Sequence, residues 1–409
     1  MPPDADAARR EHVDRVVRAW LGVRAADDVP ALPDGLARRL LRDEERERPH
    51  RDQWGNWEYG MCEALLDGTL GEPSIDQWLA AQRPAGGRWP GDAPFALCLT
   101  HDVDAIAPGY SARQALRLVR AYATRTPGAA GPELAGRALR AAGAATVLVR
   151  RRGGRAPDAG PALQRCVELE RERGVRGSYF IPVHAGQATN PYDICAYALD
   201  DRCTWQGRET TVAAVVRELA EEGFDIGLHG SYASAADGAL LARERERLAD
   251  AVGRDVTTSR QHWLHWDVGT TPALQEAAGL RADSTLGFNR AVGFRAGTSL
   301  PFRWWDERQR RALDLVQLPL VVQDAALVSA NALELDAPGA LSVWDRIVER
   351  VSAVNGVVTL LVHPHALADP AVEAVYRRAL AVAADAGAWV ATLAQIDEHW
   401  RAREAALGL

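Results

Sequence analysis

The chain has 409 residues, 47% hydrophobic and 25% charged, the balance of an ordinary globular protein with material for one large core and a smaller accessory part. Its formal net charge of −7 supplies no global basic field for nucleic acid, and no apolar run reaches membrane-spanning length. The opening Met-Pro-Pro-Asp-Ala-Asp carries no leader-like pattern, and five cysteines without a C-x-x-C pair are expected as free thiols, so a cytoplasmic protein is expected.

Residues 6–82 read as helical and irregular, with Trp20, Trp54, Trp57 and Trp78 as packing anchors and Pro30, Pro33 and Pro49 breaking the segments. Residues 1–90 are therefore expected to form a helical N-terminal extension, and turn-rich residues 84–94 lead into a strand at Phe95. From there short apolar runs alternate with amphipathic stretches, the pattern of an α/β domain with parallel strands, over residues 91–409. Strands are expected at 95–100, 176–183, 224–229, 257–262, 281–284, 315–321, 357–363 and 388–393. Helices are expected, among others, at 162–173, 211–222, 239–252 and 371–384. Residues 107–158 exceed one crossover and read as a helical insertion that covers the mouth of the domain or makes a homo-oligomer contact. The cluster Arg150, Arg151, Arg152 and Arg155 within it reads as a solvated loop.

In parallel β/α folds the site collects where strands end, so the residues that terminate each strand are diagnostic. The first, Leu-Cys-Leu-Thr-His-Asp-Val-Asp, runs into Asp102 and Asp104, which extended backbone places on one face with His101 and Val103 on the other. Two crowded carboxylates call for a cation or an Arg. Other strands end at His229, at Arg260 and His262, near Asp283 and at His363. Any one of these alone reads as a capping or loop residue, but five strands ending in ionisable groups are hard to reconcile with packing, because gathered charges cost desolvation.

Thr-His-Asp-Val-Asp, His229-Gly230-Ser231, Arg260-Gln261-His262-Trp263, Asp283 and Leu361-Val362-His363 together resemble, in order, the five motifs of the polysaccharide deacetylases, the NodB-homology carbohydrate esterases, over roughly residues 93–395. The resemblance implies a distorted (β/α)7-type barrel. It also implies Asp102 as catalytic base, Arg260 holding it, His363 as the acid and Asp283 as the carboxylate that orients His363. Asp104 and His229 would be metal ligands. The second His of the usual metal motif falls on Ala233, and His262 on the neighbouring strand end is expected to replace it, giving a facial site for a divalent metal, zinc by its N,N,O ligands.

The reaction this resemblance implies is hydrolysis of an N-acyl, chiefly N-acetyl, group on an amino sugar or sugar-containing intermediate, with a small molecule or oligosaccharide as the partner and no membrane span. Ser231, Trp263 and Arg295 are the expected substrate-binding residues. Arg295 reads equally as a structural Arg pairing with Asp306 or Asp324, and Trp263, Trp266, Trp304 and Trp305 read either as sugar-stacking faces or as packing. Two alternatives stay open: a metal-independent amidohydrolase acting on a ureide or cyclic amide, and a non-catalytic glycan-binding relative, both favoured by Ala233.

Overall fold

The computed structural model describes residues 3–24, 29–48, 50–52, 55–83, 87–106, 160–184, 195 and 197–409; the expected insertion at 107–158, its arginine cluster and Trp54 lie outside them. Twelve strands are described: β1 (Ala96–Asp102), β2 (Ser178–Ile181), β3 (Arg202–Trp205), β4 (Arg208–Thr211), β5 (Asp225–Gly230), β6 (Thr258–Gln261), β7 (Ala282–Asp283), β8 (Phe302–Asp306), β9 (Arg311–Gln317), β10 (Val322–Gln323), β11 (Val357–Leu361) and β12 (Trp389–Val390). Ten form one sheet in the order β10-β11-β1-β2-β5-β6-β7-β9-β8, with β12 beside the start of β1, while β3 and β4 make a separate hairpin. Every ladder of the large sheet is parallel except β8–β9.

Parallel strands covered on both faces must be apolar throughout, and β1, β2 and β11 are buried along their whole length. Alternation then sorts β1: Leu97 and Leu99 pack into the layer of outer helices, whereas Ala96 and Cys98 pack inward. The outer layer comprises the helices Arg165–Glu172, Val212–Glu221, Gly238–Val252, Ala337–Ala353 and Pro370–Asp385. Several are fixed by caps: Thr211 accepts from Ala214 N–H and Asp237 from Leu240 N–H through their side chains, and Gly253 ends its helix in a left-handed turn at φ 80°. Inward, Ala96, Cys98, Phe180 and Ala282 share a second core with Val16, Val17 and Trp20 of the helix Pro3–Leu21 and with Ile396 and Trp400 of the helix Leu393–Leu407. The first and last helices thus close the sheet from the side opposite the strand tips.

No ladder joins β8 to β10 among the described residues, yet the main chain bridges the gap near the strand tips. Leu318 N–H donates to Asp283 O at 2.9 Å, Leu320 N–H to Leu286 O at 2.9 Å and Val321 N–H to Thr359 O at 3.3 Å. The segment after β9 therefore crosses from the β7 side to the β11 side, curling the parallel sheet into a distorted barrel. The described residues contain no helix long and apolar enough to cross a membrane.

Candidate active site

Asp102 closes β1 on the inward face, and Arg260 of β6 reaches it from beneath. The guanidinium is fully buried; its Nη1 donates to Asp102 Oδ1 at 3.1 Å and to Thr100 Oγ1 at 2.8 Å, and its Nε and Nη2 donate to Ser284 O and Oγ at 2.8 and 3.0 Å. It also lies over the Phe180 ring at 4.7 Å. A buried guanidinium needs a counter-charge, and Asp102 is that charge, aimed so that its second oxygen faces the strand tips.

Around that oxygen sit Asp104, His229 and His262, with one ligand atom from each lying within 4.8 Å of the others. His229 Nδ1–H donates to Arg260 O at 2.9 Å, so its Nε2 points the other way, 3.2 Å from Asp104 Oδ1 and 3.8 Å from Asp102 Oδ2. That buried Nε2 makes no aligned hydrogen bond. His262 Nε2 lies 3.8 Å from the same Asp104 oxygen. Burial opposes charge on His229, but Asp102 and Asp104 outweigh it and raise its pKa; burial likewise opposes charge on Asp104, and His229, His262 and His363 hold its carboxyl well below the usual range. The cluster draws a positive charge to one point between an imidazole lone pair and two carboxylates, which suits a divalent cation better than a proton. Asp104, His229 and His262 would hold it, while Ala233, where the second motif histidine would fall, begins a short 3-10 turn.

His363 follows β11 and is oriented by Asp324, not by Asp283. Its Nδ1 lies 2.8 Å from Asp324 Oδ1, its backbone N–H donates to Oδ2 at 2.7 Å, and its Nε2 is 3.6 Å from Asp104 Oδ2. Burial would keep this imidazole neutral, but Asp324 foremost, with Asp104 and Asp102, raises its pKa to about 10. Asp283 is fully buried one strand beyond β6, accepting from Ser259, Gln275 and Thr285, and burial raises its pKa against those bonds. It braces β6 through Ser259, and its hydrogen-bond partners among the described residues include none of the groups around the cavity. Asp324 does carry a signal in the sequence: the apolar run 318–322 ends in Gln323-Asp324, the same strand-then-acid pattern as β1.

A cavity of about 350 Å³ opens over these groups, lined by Asp102, Asp104, His229, His262 and His363 and walled by Trp263, Arg290 and Asn331 among others. Trp263 is 40% exposed there, whereas Trp266, Trp304 and Trp305 are core residues, the packing alternative. Two expected binding residues are corrected. Arg295 is buried and pairs with neither Asp306 nor Asp324; Nε and Nη2 donate to Glu45 of the N-terminal segment at 2.9 and 2.7 Å, so it is a structural tie. Ser231 is buried, its N–H donating to Glu244 and its Oγ accepting from Ser234 N–H, and it does not line the cavity.

No known family profile and no curated protein matches this chain by sequence. Among solved structures, a Mycobacterium smegmatis protein assigned as a polysaccharide deacetylase is 21% identical at a TM-score of 0.50, covering 78% of this chain and 94% of its own. The Puue allantoinase is 13% identical at 0.49, covering 79% and 95%, and a Pseudomonas aeruginosa PAO1 protein assigned as a polysaccharide deacetylase is 16% identical at 0.46, covering 79% and 96%. At 21% identity the likeness is one of fold alone: the chain shares the distorted parallel barrel of a protein assigned as a polysaccharide deacetylase.

Proposed function

We propose that the protein is a metal-dependent hydrolase of the polysaccharide deacetylase type that removes an N-acyl group, chiefly N-acetyl, from an amino sugar or a sugar-containing intermediate. One observation carries the reading: a carboxylate held by a buried Arg and an imidazole held by a buried Asp, Asp102 and His363, line one cavity with the Asp104-His229-His262 group. Such a pair separates base from acid by environment, which amide hydrolysis requires. A bound divalent cation, zinc by this ligand set, would supply Lewis-acid polarisation of the acyl carbonyl and a water of lowered pKa.

The chain's own groups do the rest. Asp102, its other oxygen fixed by Arg260, takes the proton of the attacking water. His363, charged at neutral pH and aligned by Asp324, gives a proton to the departing amine, without which nitrogen does not leave. Trp263 offers an aromatic face at the cavity wall for the sugar ring. The test is amine release from a panel of N-acetylated sugars by protein loaded with Zn(II), beside the chelated protein. Release that needs the metal and vanishes in Asp102→Asn supports the reading; release that survives exhaustive chelation, or none from any substrate, removes it.

A further inference from the structure

Trp263 does not stand at the cavity wall by its own preference. It sits at φ 60° and ψ 18°, and Leu264 after it at φ 51°, two consecutive left-handed residues without a glycine. Such a turn persists only where its surroundings hold it. Here the Trp263 carbonyl accepts from Asn56 Nδ2 at 3.0 Å and from Asn289 Nδ2 at 2.7 Å, two amides from segments far apart in the chain.

Asn56 is itself braced. Asp52 N–H donates to Asn56 O at 2.8 Å and Asn56 N–H to Asp52 Oδ1 at 2.9 Å, beside the antiparallel bridge between Arg51 and Trp57. Its Oδ1 lies 3.0 Å from His265 Nδ1, which fixes the amide so that Nδ2 faces Trp263. The His265 ring stacks on Tyr232 with centroids 3.7 Å apart, and Gly55, at φ 79°, lets the turn approach: a Cβ there would meet Tyr232 Oη at 2.7 Å. On the other side, Asn289 Oδ1 accepts from Gln323 Nε2 at 3.4 Å, and Gln323 precedes Asp324, the residue that aligns His363. A belt of contacts thus runs from the loop after β5, through the N-terminal segment, to the end of β10.

We propose that Asn56, with Asn289, is a positioning residue that locks the Trp263 turn as the platform for the substrate's sugar ring, so that residues before the barrel set substrate binding. The platform's role rests on the proposed deacetylase reading; the lock itself does not. Asn56→Asp is nearly isosteric, keeps an oxygen for His265 and puts an ionised carboxylate oxygen, which cannot donate and repels the carbonyl, in place of the donor to Trp263.

The experiment labels the protein with 5-fluorotryptophan, assigns the Trp263 resonance by its loss in Trp263→Phe, and measures kinetics on N-acetylglucosamine oligomers. In Asn56→Asp the Trp263 resonance should shift or broaden while the other assigned lines hold, Zn(II) stoichiometry should be unchanged, and KM should rise roughly three- to tenfold, with kcat moving less. The KM change should vanish when Trp263 is already Ala, because Asn56 acts through it. An unmoved Trp263 resonance overturns the lock, with or without turnover. A moved resonance with unchanged KM, or a KM effect that persists in Trp263→Ala, overturns the platform. A wild-type protein that turns over no oligomer counts against the function, and the fluorine spectrum still decides the lock.

Discussion

Asp324 holds His363 by two groups at once, accepting from its backbone N–H at 2.7 Å and facing its ring Nδ1 at 2.8 Å. The double contact fixes both the position and the rotation of the imidazole, leaving Nε2 directed at Asp104 and the cavity. Asp324 itself is buried, so its charge acts on the imidazole with little screening by solvent.

This makes Asp324 a determinant of the pH profile. His363 titrates near 10 because Asp324, Asp104 and Asp102 overcome its burial, and it is a charged acid at neutral pH. In Asp324→Asn burial prevails, the folded pKa falls, and the alkaline limb of kcat moves to lower pH, with kcat near neutrality down by roughly 10²- to 10⁴-fold. Asp283→Asn should lower the melting temperature and leave that limb in place. A pH–rate series on the two variants distinguishes Asp324 from Asp283 as the partner; a limb that moves only in Asp283→Asn would reverse the assignment.

The metal group is tested at His262. If the proposed site holds zinc, His262→Ala removes one of the nitrogens that would bind it, and zinc retained after dialysis should fall from about one equivalent per chain to near zero, with turnover lost in parallel. Because His262 is largely but not wholly buried and lies outside the strand ladders, melting of the metal-free protein should change little. Elemental analysis settles it: full metal content in His262→Ala means that Ala233's missing ligand is replaced elsewhere.

How much of the fold and site is legible in the chain depends on strand length. β1 and β11 are long, buried on both faces and end in ionisable residues, so their apolar runs and the residues Asp102 and His363 stand out. β10 is two residues long, and its acid lies beyond an apolar run whose expected end is 321. Nor does sequence order reveal sheet order: β10 lies beside β11, whereas β7, which carries Asp283, is separated from β11 by four strands. The Arg295–Glu45 tie is hidden for a related reason, since its partners are 250 positions apart and only the folded chain brings them together. β8 is missing from the expected strands because its Trp304 and Trp305 read as sugar-stacking or packing aromatics, although the run pairs antiparallel with β9.

Asp102→Asn should cut turnover severely and also cost stability. With the proposed base lost, turnover should fall roughly 10²- to 10⁴-fold, while zinc content should stay near wild type because the proposed ligands Asp104, His229 and His262 remain. Removing the carboxylate also leaves the buried Arg260 without its counter-charge, a loss of about 3 kcal/mol or more. Denaturant unfolding of the variant, with zinc analysis alongside, checks both halves. Undiminished turnover would exclude Asp102 as the base, and undiminished stability would mean that Arg260 finds another anion.

Glu45 should contribute to the acid sensitivity of the fold. Burial works to protonate this carboxyl, but Arg295 and Arg42 more than offset it and lower its pKa from 4.5 to about 2. Arg295 donates to both Glu45 oxygens and Arg42 Nε to one at 2.7 Å, joining the N-terminal segment to the loop after β7. A depressed folded-state pKa stabilises above the unfolded value and ceases to do so as pH falls through the folded one. The contribution, on the order of 3 kcal/mol, should therefore be complete above pH 4.5 and fade between there and about 2. In Glu45→Gln that slope should flatten and stability at neutral pH should drop, since two buried guanidinium groups lose their shared anion. Urea titrations at stepped pH measure it: a wild-type slope between pH 4.5 and about 2 no steeper than that of Glu45→Gln would refute the assignment and leave the tie between extension and barrel to packing alone.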